Sequence, residues 1–462
     1  MTQPTRDPHD GRRSSGSRSS QAGTPLPDPR QAAGRLLAIT RSVDPASLPD
    51  LVRAGGRPGR YLWGRGGHVV LGVGEAMRLP LPAGWAAPGH TARVRDVLSA
   101  IHVEDDLEVP GSGPVAIGAL PYDPARPGHL SVPRLVVALH HGIAWVTLVG
   151  ASGARSSDRG PATRELEEEL AQLRDEPFTG DLPDRFELGA TMPHADWKKL
   201  VSRAVDEMES GSLSKVVLAR QIEVMANRRF VLHETLARLA SLYPSCAVFH
   251  VEGFLGASPE TLLRRTGSEI ESHPLAGTVA RSGDPATDEA LVAALMSSRK
   301  DRREHQLVVD EIVATLRPLC ASLDVPDAPS VMPLRNVSHL GTAIRGQLLP
   351  VGAGALPALP TSLELAALLQ PTPAVGGLPV GSALRWQRDN EGFDRGCYAG
   401  PVGWVDSRGD GEWVLGLRSA NVSGRRAVLY AGNGIVAGSD PDAELGETQL
   451  KLQALLAALV RP

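Results

Sequence analysis

Near the C-terminus, the stretch Glu444-Leu-Gly-Glu-Thr-Gln-Leu-Lys451 sets two carboxylates and an ammonium at i, i+3 and i+7. On a helix these three share one face, beside the apolar positions Leu450, Ala454, Leu455 and Ala458. A carboxylate buried there costs several kcal/mol, comparable with the net stability of a domain, unless a cation or hydrogen bonds compensate it. Just upstream, Tyr430 to Pro441 reads as a strand broken by glycines, Gly432 and Gly434 among them, where bare amides could face an anion. Together these features point to a site for a cation and a carboxylate. An expected helix from Thr287 to Leu319 repeats the anomaly, because Glu304 falls in line with Val308, Ile312 and Leu316 at i, i+4, i+8 and i+12. For either helix alone, a surface glutamate beside an apolar stripe is an equally good reading.

The elements that must position these charges are legible as patterns. Ala195 to Ser210 is an amphipathic helix with Trp197, Leu200, Val201, Ala204, Val205 and Met208 on one face, closed by Gly211. A strand from Lys215 to Met225 and a helix from Leu232 to Leu242 follow. Val248 to Leu263 runs strand to turn, with Gly256-Ala-Ser-Pro-Glu260 at its bend, and Ile270 to Arg281 is a strand broken at Leu275-Ala-Gly-Thr278. Strand-like pieces at Asn336 to Leu348, a helix at Leu363 to Leu369, and strands at Tyr398 to Val405, Glu412 to Ala420 and Ala427 to Tyr430 complete this part. Before it, Leu36 to Val149 alternates short apolar runs with turn signals and reads as antiparallel strands, the last two joined at His141-Gly142. His140-His141 at that tip reads as an exposed turn rather than a metal site, since no third ligand is near. We expect a disordered tail over 1–33, a β-rich N-terminal part of the same domain over 34–180, with a charged helix at Thr163 to Glu176, and a catalytic region over 181–462.

The 462 residues, 42% hydrophobic with a net charge of -4, support a large core and give no electrostatic footprint for nucleic acid. Three scattered cysteines, Cys246, Cys320 and Cys397, indicate neither a disulfide framework nor a zinc-thiolate site. No apolar run approaches the ~20 residues of a membrane span, and the N-terminus has no signal-like apolar core. We expect a cytoplasmic monomer acting on a small molecule, without nucleic acid or membrane.

From about Lys215 onward the chain resembles the chorismate-utilising enzymes. The resemblance rests on separated motifs in the family's order: Ser214-Lys-Val-Val-Leu-Ala-Arg220, Gly256-Ala-Ser-Pro-Glu260, Pro274-Leu-Ala-Gly-Thr278, Glu304-His305 with Val308-Val-Asp310, Ser338-His339-Leu340, Gln370-Pro-Thr-Pro373, Gly403-Trp404, Gly416-Leu-Arg-Ser-Ala420, Gly432-Asn-Gly434 and Glu444-x-x-Glu-Thr448. It implies an α/β (α+β) fold of two large antiparallel sheets packed together and flanked by helices. It also implies Mg2+ on Glu304 and Glu447, with Glu444 and Asp301 behind them, although other members often carry glutamate where Asp301 stands. Two glutamates completed by water and a substrate carboxylate suit this hard, octahedral cation.

By the same resemblance Lys215 is the general base toward water, where ammonia-using members typically have glutamine. Glu260 is the general acid for the departing C4 hydroxyl. Each role needs a proton affinity moved toward neutrality by desolvation. Ala276 stands where aminodeoxychorismate-forming members carry a nucleophilic lysine, and so argues against that chemistry. Arg418 and Lys451, with the amides around Gly432 and Gly434, would clamp the substrate carboxylates. Tyr430 and His339 would line the pocket, and Gly277 and Thr278 would approach the ring. The implied activity is isochorismate synthesis, an isomerisation, with salicylate synthesis as the alternative. Anthranilate synthesis is disfavoured by Lys215, and a non-catalytic carboxylate-binding module by the presence of acid, base and both metal ligands. Menaquinone and siderophore pathways are not distinguished.

Overall fold

The computed structural model describes residues 28–151, 168–171, 173, 178, 180–352 and 358–460. Two large sheets dominate. One has thirteen strands and includes Lys215–Ala226, Arg426–Ile435, Ser419–Ser423 and Phe254–Ser258, with Leu36–Val43 toward its far edge. The other has nine, among them Thr261–Thr266, Glu269–His273, Gly411–Leu415 and Pro401–Asp406. Among the described residues the strand pairs of both are antiparallel except one, Leu36–Val43 beside His102–Glu104, which is parallel. A third, three-stranded sheet, Leu275–Ala280, Val337–Gly341 and Ser330–Pro333, was not anticipated.

The strand Lys215–Ala226 is buried on both faces over its first half and alternates over its second, as expected of a strand that enters the core and leaves it. It pairs with Arg426–Ile435 along ten registered positions, from Val216↔Ile435 to Met225↔Arg426. That partner is one uninterrupted strand, so Gly432 and Gly434 do not break it. Their role is clearance. A Cβ on Gly434 would sit 2.2 Å from Glu304 Oε1 and 2.8 Å from Lys215 Cε, and one on Gly432 would sit 2.7 Å from the Leu218 carbonyl oxygen.

Two of the seams between the large sheets form the cleft described below. The chain leaves the thirteen-stranded sheet after Ser258 and enters the nine-stranded one at Thr261, and it returns between Leu415 and Ser419. The seams hydrogen-bond to each other, Leu415 N to the Glu260 carbonyl at 3.2 Å and Ala257 N to the Arg418 carbonyl at 3.2 Å. The expected bend at Gly256 to Glu260 is therefore a sheet crossing. The hairpin turn lies earlier, at Glu252-Gly253, both with positive φ.

The expected single helix from Thr287 to Leu319 is two, Pro285–Ser297 and Arg299–Leu316. Ser298 is extended between them, and its hydroxyl caps the second helix by accepting from Asp301 N at 3.2 Å. Neither proline nor glycine marks this junction, which hides the break. The C-terminal helix Pro441–Leu459 begins with Asp440 capping Ala443 N and Pro441 in the first turn. It packs on Arg426–Ile435 and on His194–Glu209 through Leu445, Leu452 and Leu455. Helices at Pro88–Ala100 and Val380–Asn390 were not anticipated. Within the stretch expected as a tail, Pro29–Ala33 is a short helix capped by Asp28, while residues 1–27 lie outside the described residues. Most of the expected helix at Thr163 to Glu176 lies outside them as well. The His141-Gly142 turn stands as read, with φ of 47° and 83°.

Candidate active site

One cleft collects the chemistry. It is walled by the start of Arg299–Leu316, the start of Pro441–Leu459, both sheet seams, the bulged edge of the third sheet, and the glycine-bearing end of Arg426–Ile435. Glu260, Ala276, Gly277, Thr278, Asp301, Glu304, His339, Arg418, Tyr430, Gly432, Gly434, Glu444, Glu447 and Lys451 all line it. Lys215 alone among the anticipated residues does not. It lies one layer behind, wholly buried, with Nζ 3.0 Å from Glu304 Oε1 in an ion pair whose alignment is not that of a hydrogen bond.

Glu260 sits at the seam, 4% exposed. Burial pushes its carboxyl up to about 8, against the opposing pull of the Leu275 amide and of the Lys215 and Lys451 charges. Leu275 N donates to Oε1 at 3.3 Å. The side chain is therefore a carboxylic acid at neutral pH, the state a proton donor needs. Ser258 ends one strand and Thr261 opens the next, so Glu260 lies in the short link between them.

Arg418 occupies the other seam with φ of +47°, a backbone state that non-glycine residues rarely adopt and that costs on the order of 1 kcal/mol. Its Nη2 donates to His339 Nε2 at 2.9 Å. Because a guanidinium only donates, His339 must carry its proton on Nδ1, which lies 3.1 Å from Thr278 Oγ1 and 3.3 Å from the Gly277 carbonyl. Burial, with Arg418 and Lys451 adding to it, holds His339 well below the usual imidazole range, so it stays neutral. Arg418 Nη1 is buried and has no partner among the described residues. An unsatisfied, desolvated cationic donor calls for an anionic acceptor.

Three glutamates face the cleft, each with a lysine: Glu304 with Lys215 at 3.0 Å, Glu447 with Lys451 at 2.8 Å and Glu444 with Lys300 at 3.3 Å. Burial, with the Glu447 charge adding to it, pushes the Glu444 carboxyl up, while Lys300 opposes the shift. Asn433, between the two glycines, turns to the C-terminal helix and donates to the Glu444 carbonyl at 2.7 Å and to Oε2 at 3.0 Å. Lys451 donates to the Gly432 carbonyl at 2.9 Å, so that glycine serves the cleft through its oxygen as well as its missing side chain. Asp301 lines the cleft, but its carboxylate is taken by the Ser298 hydroxyl at the helix start. Tyr430 stacks on Tyr398 with ring centroids 5.1 Å apart and accepts from Asn421 Nδ2 at 2.9 Å. Lys300, Asn433 and Tyr398 were missed. Reading Gly432-Asn-Gly434 as a strand with period-two alternation would have found Asn433.

No group of three or more metal-ligating side chains exists among the described residues. Glu304 and Glu447, carboxylates from two helices that line the same cleft, are the side chains that could hold a hard cation.

The chain matches the family described as chorismate binding enzyme over residues 28–460. It is 35% identical over 359 residues to isochorismate synthase DhbC of Bacillus subtilis, spanning 75% of this chain and 81% of that protein. It is 33% identical over 348 residues to isochorismate synthase EntC of Escherichia coli, spanning 74% and 80%. The solved menaquinone-specific isochorismate synthase MenF of Escherichia coli superposes with a TM-score of 0.74 at 28% identity, covering 92% of this chain and 95% of that one. The protein is a member of the chorismate binding enzyme family.

Proposed function

We propose that the protein is an isochorismate synthase, converting chorismate to isochorismate. The observation that carries this reading is the composition of one cleft, where an acid kept protonated by burial, an unsatisfied arginine donor and two carboxylate-bearing helices meet, with a buried lysine directly behind. Relatives named as isochorismate synthases at 33–35% identity support it.

Arg418 Nη1 and Lys451 take the substrate carboxylates. Glu260 gives its proton to the C4 hydroxyl, which departs as water while the ring double bonds shift, and a second water adds at C2. Lys215 accepts the proton that this water loses. Its amine lies 3.0 Å from the Glu304 carboxylate, which positions it behind the cleft. When bound by Glu304 and Glu447, Mg2+ would supply positive charge for a substrate carboxylate. Ala276 offers no competing nucleophile.

Incubation with chorismate and Mg2+, followed by chromatography of the products, tests the reading. Isochorismate is expected, without pyruvate. Salicylate and pyruvate appearing with no added lyase would replace it with salicylate synthesis, and anthranilate formed on adding ammonium would overturn the water-specific role of Lys215.

A further inference from the structure

Lys300 has no part in the reaction described above, yet it reaches the middle of the acidic cluster. It lies in the first turn of Arg299–Leu316 and crosses the cleft to the first turn of Pro441–Leu459, Nζ lying 3.3 Å from Glu444 Oε1. Its side chain is 47% exposed, whereas that of Glu444 is 5% exposed. With Asn433 on Oε2 and Lys300 on Oε1, both oxygens of Glu444 are occupied. Burial works against the Lys300 charge, but Glu444, Glu304 and Asp301 outweigh it and raise its proton affinity, so it remains a cation.

We propose that Lys300 is a tethered counter-ion of the metal site, neutralising Glu444 across the two helices and giving way when a divalent cation enters. The inference rests on the assignment of Glu304 and Glu447 as ligands. A monovalent ammonium and a divalent ion cannot both sit among the same carboxylates without repulsion, so each weakens the other. Lys300 thereby keeps metal binding reversible and holds the two helices together when metal is absent. Lys215 and Lys451 cannot be assigned this task alone, because each is also called on by the reaction.

The test is a Mg2+ titration of metal-free protein followed by its thermal unfolding midpoint, a readout independent of turnover. Lys300→Gln should bind Mg2+ about tenfold more tightly than wild type, the modest size reflecting a half-exposed, screened charge. Lys300→Arg, which keeps the charge, should restore wild-type affinity, and added salt should shrink the difference. Equal or weaker Mg2+ affinity in Lys300→Gln, alongside a saturable wild-type response that Glu304→Gln lacks, would overturn the role of Lys300 alone. No saturable response in wild type would remove the metal assignment, and the counter-ion with it.

Discussion

Glu260→Gln separates the acid's chemistry from its energetic cost. Moving a carboxyl from its ordinary 4.5 to about 8 corresponds to about 5 kcal/mol, at ~1.4 kcal/mol per tenfold change in proton affinity. The sign follows from proton counting. Below about pH 4.5 the residue is protonated folded and unfolded, and contributes nothing to the pH dependence. Between 4.5 and 8 the folded state holds a proton that the unfolded state has released, so stability falls as pH rises. At pH 7 the accumulated penalty is about 3 kcal/mol, and above pH 8 it reaches its full value. Glutamine titrates nowhere in this range and can still accept from the Leu275 amide. Urea unfolding of both proteins from pH 5 to 9 should therefore show Glu260→Gln gaining stability over wild type progressively, with the gain levelling off above pH 8. The same substitution should lower kcat by a factor of roughly 10² to 10⁴ and abolish an alkaline limb of kcat/KM near pH 8. A stability difference that does not vary with pH would refute the burial argument, whatever happens to the rate.

Two further substitutions probe the cleft walls. Gly434→Ala places a methyl 2.2 Å from Glu304 Oε1, so Glu304 and Lys215 must separate; turnover should fall at least about tenfold with little change in KM for chorismate, and retained activity would contradict the clearance role. Arg418→Lys keeps the charge but cannot reach both His339 and a bound carboxylate, so KM should rise by about tenfold or more while the Glu260 pH profile persists; unchanged KM would dissociate Arg418 from substrate binding.

The residues with the strongest local grammar were legible without coordinates. Glu304 stood out because Val308, Ile312 and Leu316 fix its face, and Glu447 because its turn of helix carries too many charges for a core-packed surface. Three kinds of feature were not legible. The break at Ser298 carries no proline or glycine to announce it, since a serine becomes a boundary only when its hydroxyl turns to the Asp301 amide. The strand containing Gly432 and Gly434 read as broken because glycine disfavours strands unless another group needs the space, and that group, Glu304, is supplied from 130 residues away in sequence. The coupling of Arg418 through His339 to Gly277 joins three motifs that only a sheet seam and the third sheet bring together.

The seams carry a consequence for how such a protein can change. The acid at Glu260 and the donor at Arg418 are set by the pairing of strands on either side, not by loops at a rim. Inserting one residue within Phe254–Ser258 would invert the side chains that follow it and turn the acid at Glu260 out of the cleft. Loop insertions, the usual route by which folds acquire new activities, are closed to this chain at its reactive centre. Divergence here has to proceed by exchanging single side chains in a fixed lattice, as at Lys215 and Ala276.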